Sequence, residues 1–137
     1  MAETKLRKDA EIRRVVLCSG KVYYDLLEQR DARGINDVYL LRLEQFYPFP
    51  NQTLSKELDR FKDADMIWCQ EEPQNQGAWF QIQHHLRACL AQGQSLFYAG
   101  RARSPSPAAG HFNDHVEEQK KLIADALLNP PGVDPGI

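Results

Sequence analysis

Trp68-Cys69-Gln70-Glu71-Glu72-Pro73-Gln74-Asn75-Gln76-Gly77-Ala78-Trp79 passes from an apolar stretch directly into two carboxylates, a proline, three side-chain amides and a glycine. That change of character reads as a strand, a polar loop and the start of a helix. Pro73 has no N–H to give to a ladder and is expected to end strand pairing, while Gly77 lets the backbone approach a neighbour or ligand closely. Function tends to gather at such a junction.

The same alternation extends outward in both directions. Residues 15–18 are short and β-branched, as a buried strand is, and residues 21–31 carry Tyr23, Leu26 and Leu27 at helical positions, with Gly34 where a helix stop belongs. A second strand is expected over 38–43. After the proline-bounded turn at 47–50, Leu54, Leu58 and Phe61 mark a helix that Asn51 or Thr53 would cap. Residues 64–69 make a third strand, Ala78, Ile82, Leu86 and Cys89 one face of the helix behind it, and 95–99 a fourth strand. Residues 101–110, rich in Ser, Pro, Ala and Gly, read as an extended connection to a last helix using Val116, Ile123 and Ala126 or Leu127, which Pro130 and Pro131 end.

Strand and helix thus alternate four times, and the strands are apolar on both faces. Parallel strands joined by crossover helices require this, so the expected fold is α/β: a three-layer α/β/α sandwich around a small, mostly parallel sheet. Residues 1–12 are charged and aperiodic and are expected to form a flexible arm, residues 13–128 one domain, and residues 129–137 a disordered tail. No internal repeat is visible.

The chain has 137 residues, which suits one core. Its 17 Lys and Arg against 19 Asp and Glu argue against nucleic acid or an anionic membrane as the main partner, because both select a strongly basic face. No apolar run approaches the roughly 20 residues of a membrane span. The first segment is too polar for a secretory signal, so an intracellular protein is expected. Cys18, Cys69 and Cys89 cannot all pair within one chain and fit no metal pattern, so they read as reduced core thiols.

Three segments follow predicted strands and so share one edge of the sheet, where ligands collect in open α/β folds. Ser19-Gly20-Lys21 sets a hydroxyl, a glycine and an ammonium at a helix start, an arrangement suited to phosphate or carboxylate; alternatively Ser19 caps the helix and Lys21 is merely solvated. Arg101 and Arg103 either clamp an anion or, through a pairing of Arg101 with Glu71 or Glu72, fix loop geometry. Glu71 and Glu72 are neighbours in an extended segment, point opposite ways, and suit salt bridges or an interface better than catalysis. With Gln76 and Trp79 they form the loop's interface candidates. Phe46 and Tyr47 belong to a rigid Phe-Tyr-Pro-Phe-Pro loop that would mark a docking face if exposed. His111 with His115, and His84 with His85, lack the third and fourth ligands zinc needs. Neither Ser19 nor Cys69 has the surroundings of a nucleophile.

Four blocks in fixed order tie the chain to a known family: residues 16–27 (Val-Leu-Cys-Ser-Gly-Lys-Val-Tyr-Tyr-Asp-Leu-Leu), residues 42–50 (Arg-Leu-Glu-Gln-Phe-Tyr-Pro-Phe-Pro), the stretch from Trp68 to Trp79, and Tyr98-Ala99-Gly100-Arg101 with residues 104–110. Over roughly residues 13 to 128 the chain closely resembles the C-terminal domain of the thiamine-diphosphate-dependent decarboxylating component of the 2-oxoglutarate dehydrogenase complex. The resemblance implies a transketolase C-terminal-domain-like fold, with a small mixed sheet between helices. It further implies a parent enzyme, bacterial-cytoplasmic or in the mitochondrial matrix, that converts 2-oxoglutarate to a succinyl group on the lipoyl carrier of the second component.

In that family thiamine diphosphate and magnesium are held by two preceding domains, and no Gly-Asp-Gly segment followed by a suitably spaced Asn occurs here. The chain alone is therefore expected to lack cofactors and to be inactive. Its implied partners are the upstream catalytic domains, a second copy in a homodimer and the succinyl-transferring second component. Some actinobacterial relatives bind acetyl-coenzyme A as an activator on this domain, which points to an acyl-coenzyme A or AMP effector near Ser19, Gly20, Lys21, Arg101 and Arg103. The loop here, Gly100-Arg101-Ala102-Arg103, departs from the paired arginines of those relatives. The competing readings are a free-standing coenzyme A or nucleotide module and, last, a small enzyme using Glu71 or His115.

Overall fold

The computed structural model describes residues 6–101 and 112–129, with side chains given for all but 112–115. Its elements follow the expected alternation: β1 (Arg14–Cys18), α1 (Val22–Ala32), β2 (Val38–Arg42), α2 (Asn51–Leu58), β3 (Asp65–Pro73), α3 (Trp79–Ala88), β4 (Leu96–Arg101) and α4 (Phe112–Leu127). The strands form one sheet in the order β2-β1-β3-β4, every neighbour parallel. The mixed sheet implied by the resemblance is thus replaced, in the described residues, by an all-parallel one.

Successive residues of a strand face opposite sides, and β1 shows it plainly. Val15 and Leu17 join Met66 and Trp68 under α2 and α3, where Leu54, Leu58, Ile82 and Leu86 are buried. Val16 and Cys18 join Ile67 and Cys69 under α1 and α4, against Leu26, Leu122 and Ala126. Two apolar faces on one sheet make the three-layer sandwich. Right-handed crossovers demand this division, because the chain leaves β1 for β2 in one direction and leaves β3 for β4 in the other. The cysteines are free and buried, and burial pushes the Cys18 thiol up to about 12, so it stays protonated.

Helix ends differ from expectation at two starts. Lys21 holds the N-cap of α1 and Pro50 that of α2, neither with a side-chain cap bond. Ser19 is therefore not a cap, and Asn51 already lies inside its helix. The stop of α1 is as read: Gly34 has φ +66°, and the amides of Gly34 and Ile35 donate to the carbonyls of Asp31 and Arg30 at 3.1 and 3.0 Å, a closure that favours glycine in the left-handed position.

β3 outruns its expected end by four residues. Pro73 pairs with Arg101 without needing an N–H, because Gln74 donates to the Arg101 carbonyl at 3.1 Å. Before β1, Ile12 is 5 % exposed in the core, the Arg7 amide reaches the Asn36 carbonyl at 2.9 Å, and Arg60 grips Asp9 through two bonds of 2.9 and 3.0 Å. The segment expected as an arm is thus attached from Arg7 onward. Arg14, buried at the start of β1, donates to the carbonyls of Asp125, Ala126 and Asn129 at 3.2, 2.9 and 2.6 Å. It thereby closes the C-terminus of α4.

Candidate functional site

Neighbouring strands β1 and β3 send their chains in opposite directions, so their carboxyl ends flank the point where α/β sheets open a crevice. Lys21 follows β1 and Glu71 lies in the end of β3. Lys21 Nζ donates to Glu71 Oε2 at 3.0 Å across this gap. The ammonium's side chain is 82 % exposed and the carboxylate's 22 %. The contact raises the Lys21 pKa, first through the hydrogen bond it donates to Glu71 and then through that carboxylate's charge, while the charge of Arg101 lowers it.

Between the pairs Gln70 with Gly100 and Pro73 with Arg101, β3 carries two residues for which β4 has no counterpart. The bulge takes Glu71 and Glu72 out of the ladder and re-aims them. Glu71 turns to Lys21. Glu72 turns the other way, against Gly77, where an added Cβ would stand 3.1 Å from Glu72 Cβ. The Glu71 carbonyl, released from pairing, accepts from Arg101 Nη1. Arg101, 11 % exposed, also reaches Glu118 Oε1 at 3.4 Å and Gln119 Oε1 at 3.1 Å, and Gln119 continues to Asp25 Oδ2 at 3.1 Å. Lys21, Glu71, Arg101, Gln119 and Asp25 thus form one polar chain linking α1, β3, β4 and α4. Arg101 thus meets Glu71, as one of its two expected readings has it, at the backbone carbonyl, and it also has an acidic contact in Glu118 on α4.

Gln70 is the residue sequence reading passed over. It is 3 % exposed, and its Oε1 accepts from Trp68 Nε1 at 2.9 Å and from the Trp79 amide at 3.2 Å. Its Nε2 faces the carbonyls of Glu72, Pro73 and Gln76, each at 3.0 Å. One buried amide holds the whole polar loop. The signal that could have found it is strand parity, which puts Gln70 on the core face with Trp68. Gln76 contributes its carbonyl to this clamp, and Trp79 is fully buried beside Tyr98.

Gly100 supports the same corner by having no side chain. A Cβ there would lie 2.7 Å from Tyr98 Oη and 2.8 Å from the Gln70 carbonyl oxygen. Gly100→Ala is expected to cost about 2 kcal/mol in urea unfolding, and adding Tyr98→Phe should recover only part, since the backbone contact remains.

The other expected residues are placed less closely. Ser19 is half-buried, and Gly20, with φ +76°, faces open space. Phe46 is half-buried edge-on to Trp68, Phe49 is buried against His85, and Tyr47 alone among these three aromatics stands out, 93 % exposed. Arg103 and His111 lie outside the described residues. Among the described residues no three His, Cys, Asp or Glu stand where they would hold a metal ion. No helix of the described residues is long and apolar enough to cross a membrane.

The 2-oxoglutarate dehydrogenase C-terminal family model matches residues 1–127. The chain belongs to this family. Similar proteins include the 2-oxoglutarate dehydrogenase E1 component of Brucella anthropi, 56 % identical over 129 residues that cover 91 % of this chain. Those of Brucella ovis and Brucella canis are also 56 % identical, over 127 residues and 90 % of the chain. In each case the match spans 13 % of the relative's length. By its sequence the chain is thus the C-terminal domain of a 2-oxoglutarate dehydrogenase E1 component.

Proposed function

We propose that this domain serves its E1 component as a structural and regulatory part, inactive alone, whose strand edge holds a phosphorylated effector of the acyl-coenzyme A or nucleotide class. Oxidative decarboxylation of 2-oxoglutarate with thiamine diphosphate and magnesium, and delivery of the succinyl group to the second component, fall to other parts of the polypeptide. The observation that carries the reading is the exposed Lys21 ammonium at the opening between β1 and β3, joined to Arg101 through Glu71, whose carboxylate accepts from Lys21 and whose carbonyl accepts from Arg101. An ammonium and a guanidinium at a sheet's carboxyl edge attract phosphate groups.

Isothermal titration of the chain with acetyl-coenzyme A, with AMP and 2-oxoglutarate as comparators and at two salt concentrations, tests it. Saturable binding is expected, lost in the Lys21→Ala/Arg101→Ala variant. Unchanged affinity in that variant removes both residues from the site. Lys21→Ala alone, at an exposed position, should keep the melting temperature and still weaken binding. A packing role against the catalytic domains or a second copy is favoured separately by Tyr47, a large aromatic that its own domain leaves uncovered.

A further inference from the structure

We propose that the Glu71 carboxylate is a built-in competitor for the effector: it occupies on Lys21 the place of an incoming anionic group and has to be displaced before that group binds. The proposal rests on the strand edge being an effector site.

The geometry supplies the reasons. Glu71 sits in a bulge whose backbone is gripped on both sides, by Arg101 at its own carbonyl and by Gln70 at that of Glu72. Its carboxylate is thereby presented at a fixed place. Lys21 is the exposed partner, long and mostly in solvent. An exposed pair of this kind shifts an equilibrium by a factor of about five at most, so the bridge is weak enough to exchange.

The exchange also discriminates between ligands. Any anion that takes the place of Glu71 leaves the displaced carboxylate beside it, and a carboxylate only replaces like with like. A phosphate brings a charge of about −1.5 to −2 and three acceptor oxygens, enough to outcompete the internal carboxylate.

The test is calorimetric titration of wild-type chain, Glu71→Gln and Lys21→Ala with acetyl-coenzyme A, inorganic pyrophosphate and 2-oxoglutarate. Glutamine keeps the size of the side chain and leaves the backbone carbonyl to Arg101. Glu71→Gln is expected to bind the two phosphorylated probes up to about fivefold more tightly. Equal or weaker binding in Glu71→Gln, where the wild type binds and Lys21→Ala does not, overturns the competitor role and leaves the effector site standing. Absence of saturable binding in both wild type and Glu71→Gln overturns the two together.

Discussion

Replacing Gln70 by alanine is expected to destabilise the domain by about 3–5 kcal/mol, read as a lower urea midpoint at unchanged slope. The side chain serves five groups at once: the indole N–H of Trp68, the amide of Trp79, and the carbonyls of Glu72, Pro73 and Gln76. Alanine removes every bond and leaves a void at a site 3 % exposed. Gln70→Glu makes the sharper comparison. It keeps an acceptor for the two N–H groups but turns a carboxylate oxygen toward three carbonyl oxygens, so it should be at least as damaging, and the damage should ease at acidic pH as the carboxylate takes a proton. If Gln70→Ala shifts the midpoint by less than the equivalent of about 1 kcal/mol, the clamp is not what holds the loop.

The second large effect belongs to Arg14. Its guanidinium, in a residue 2 % exposed, carries two bonds to the last carbonyls of α4 and a third to that of Asn129 just beyond it, where the helix dipole also favours a positive charge. Burial lowers its pKa by desolvation, helped by the neighbouring charge of Arg13, yet a guanidinium remains protonated throughout the ordinary pH range. Arg14→Met keeps the apolar stem and deletes the donors. The expected loss is about 3 kcal/mol, with faster hydrogen exchange concentrated in the last turns of α4. Uniformly faster exchange across the sheet would show that the bonds support the whole core rather than the helix end.

The layer order was readable because apolar period and chain punctuation are local properties. β1 is short, β-branched and buried on both faces, and α1 ends at Gly34, as its residues suggest. What failed depended on partners distant in sequence. Pro73 was read as a strand stop, but whether a missing N–H matters depends on which way that position faces, and here Gln74 makes the bond to Arg101. Ser19 has the chemistry of a cap, yet α1 begins beyond its reach, with Lys21 at the N-cap.

The site divides along the same line. That Ser19, Glu71 and Arg101 share an edge followed from their places after strands. That Lys21 and Glu71 meet followed only from strand order, which puts β3 beside β1 with β2 on the far side. Arg101 also pairs with Glu118, 17 residues further on, and no local pattern announces that contact. Of the three large aromatics Phe46, Tyr47 and Trp79, burial ranges from complete to almost none, because each depends on what α3 and the sheet happen to cover.

One sheet face, bearing Val16, Cys18, Ile67 and Cys69, is roofed by α1 and α4 together, and the bonds that seat α4 join Arg14 to carbonyls 111 to 115 positions later. As the polypeptide leaves the ribosome, all four strands emerge before the helix that completes this roof. Until then half of the apolar face is open and a guanidinium at its edge waits for acceptors that have not yet been translated. The interval is when the nascent domain is most exposed to wrong partners, and its duration is set by the elongation rate over the last turns of α4.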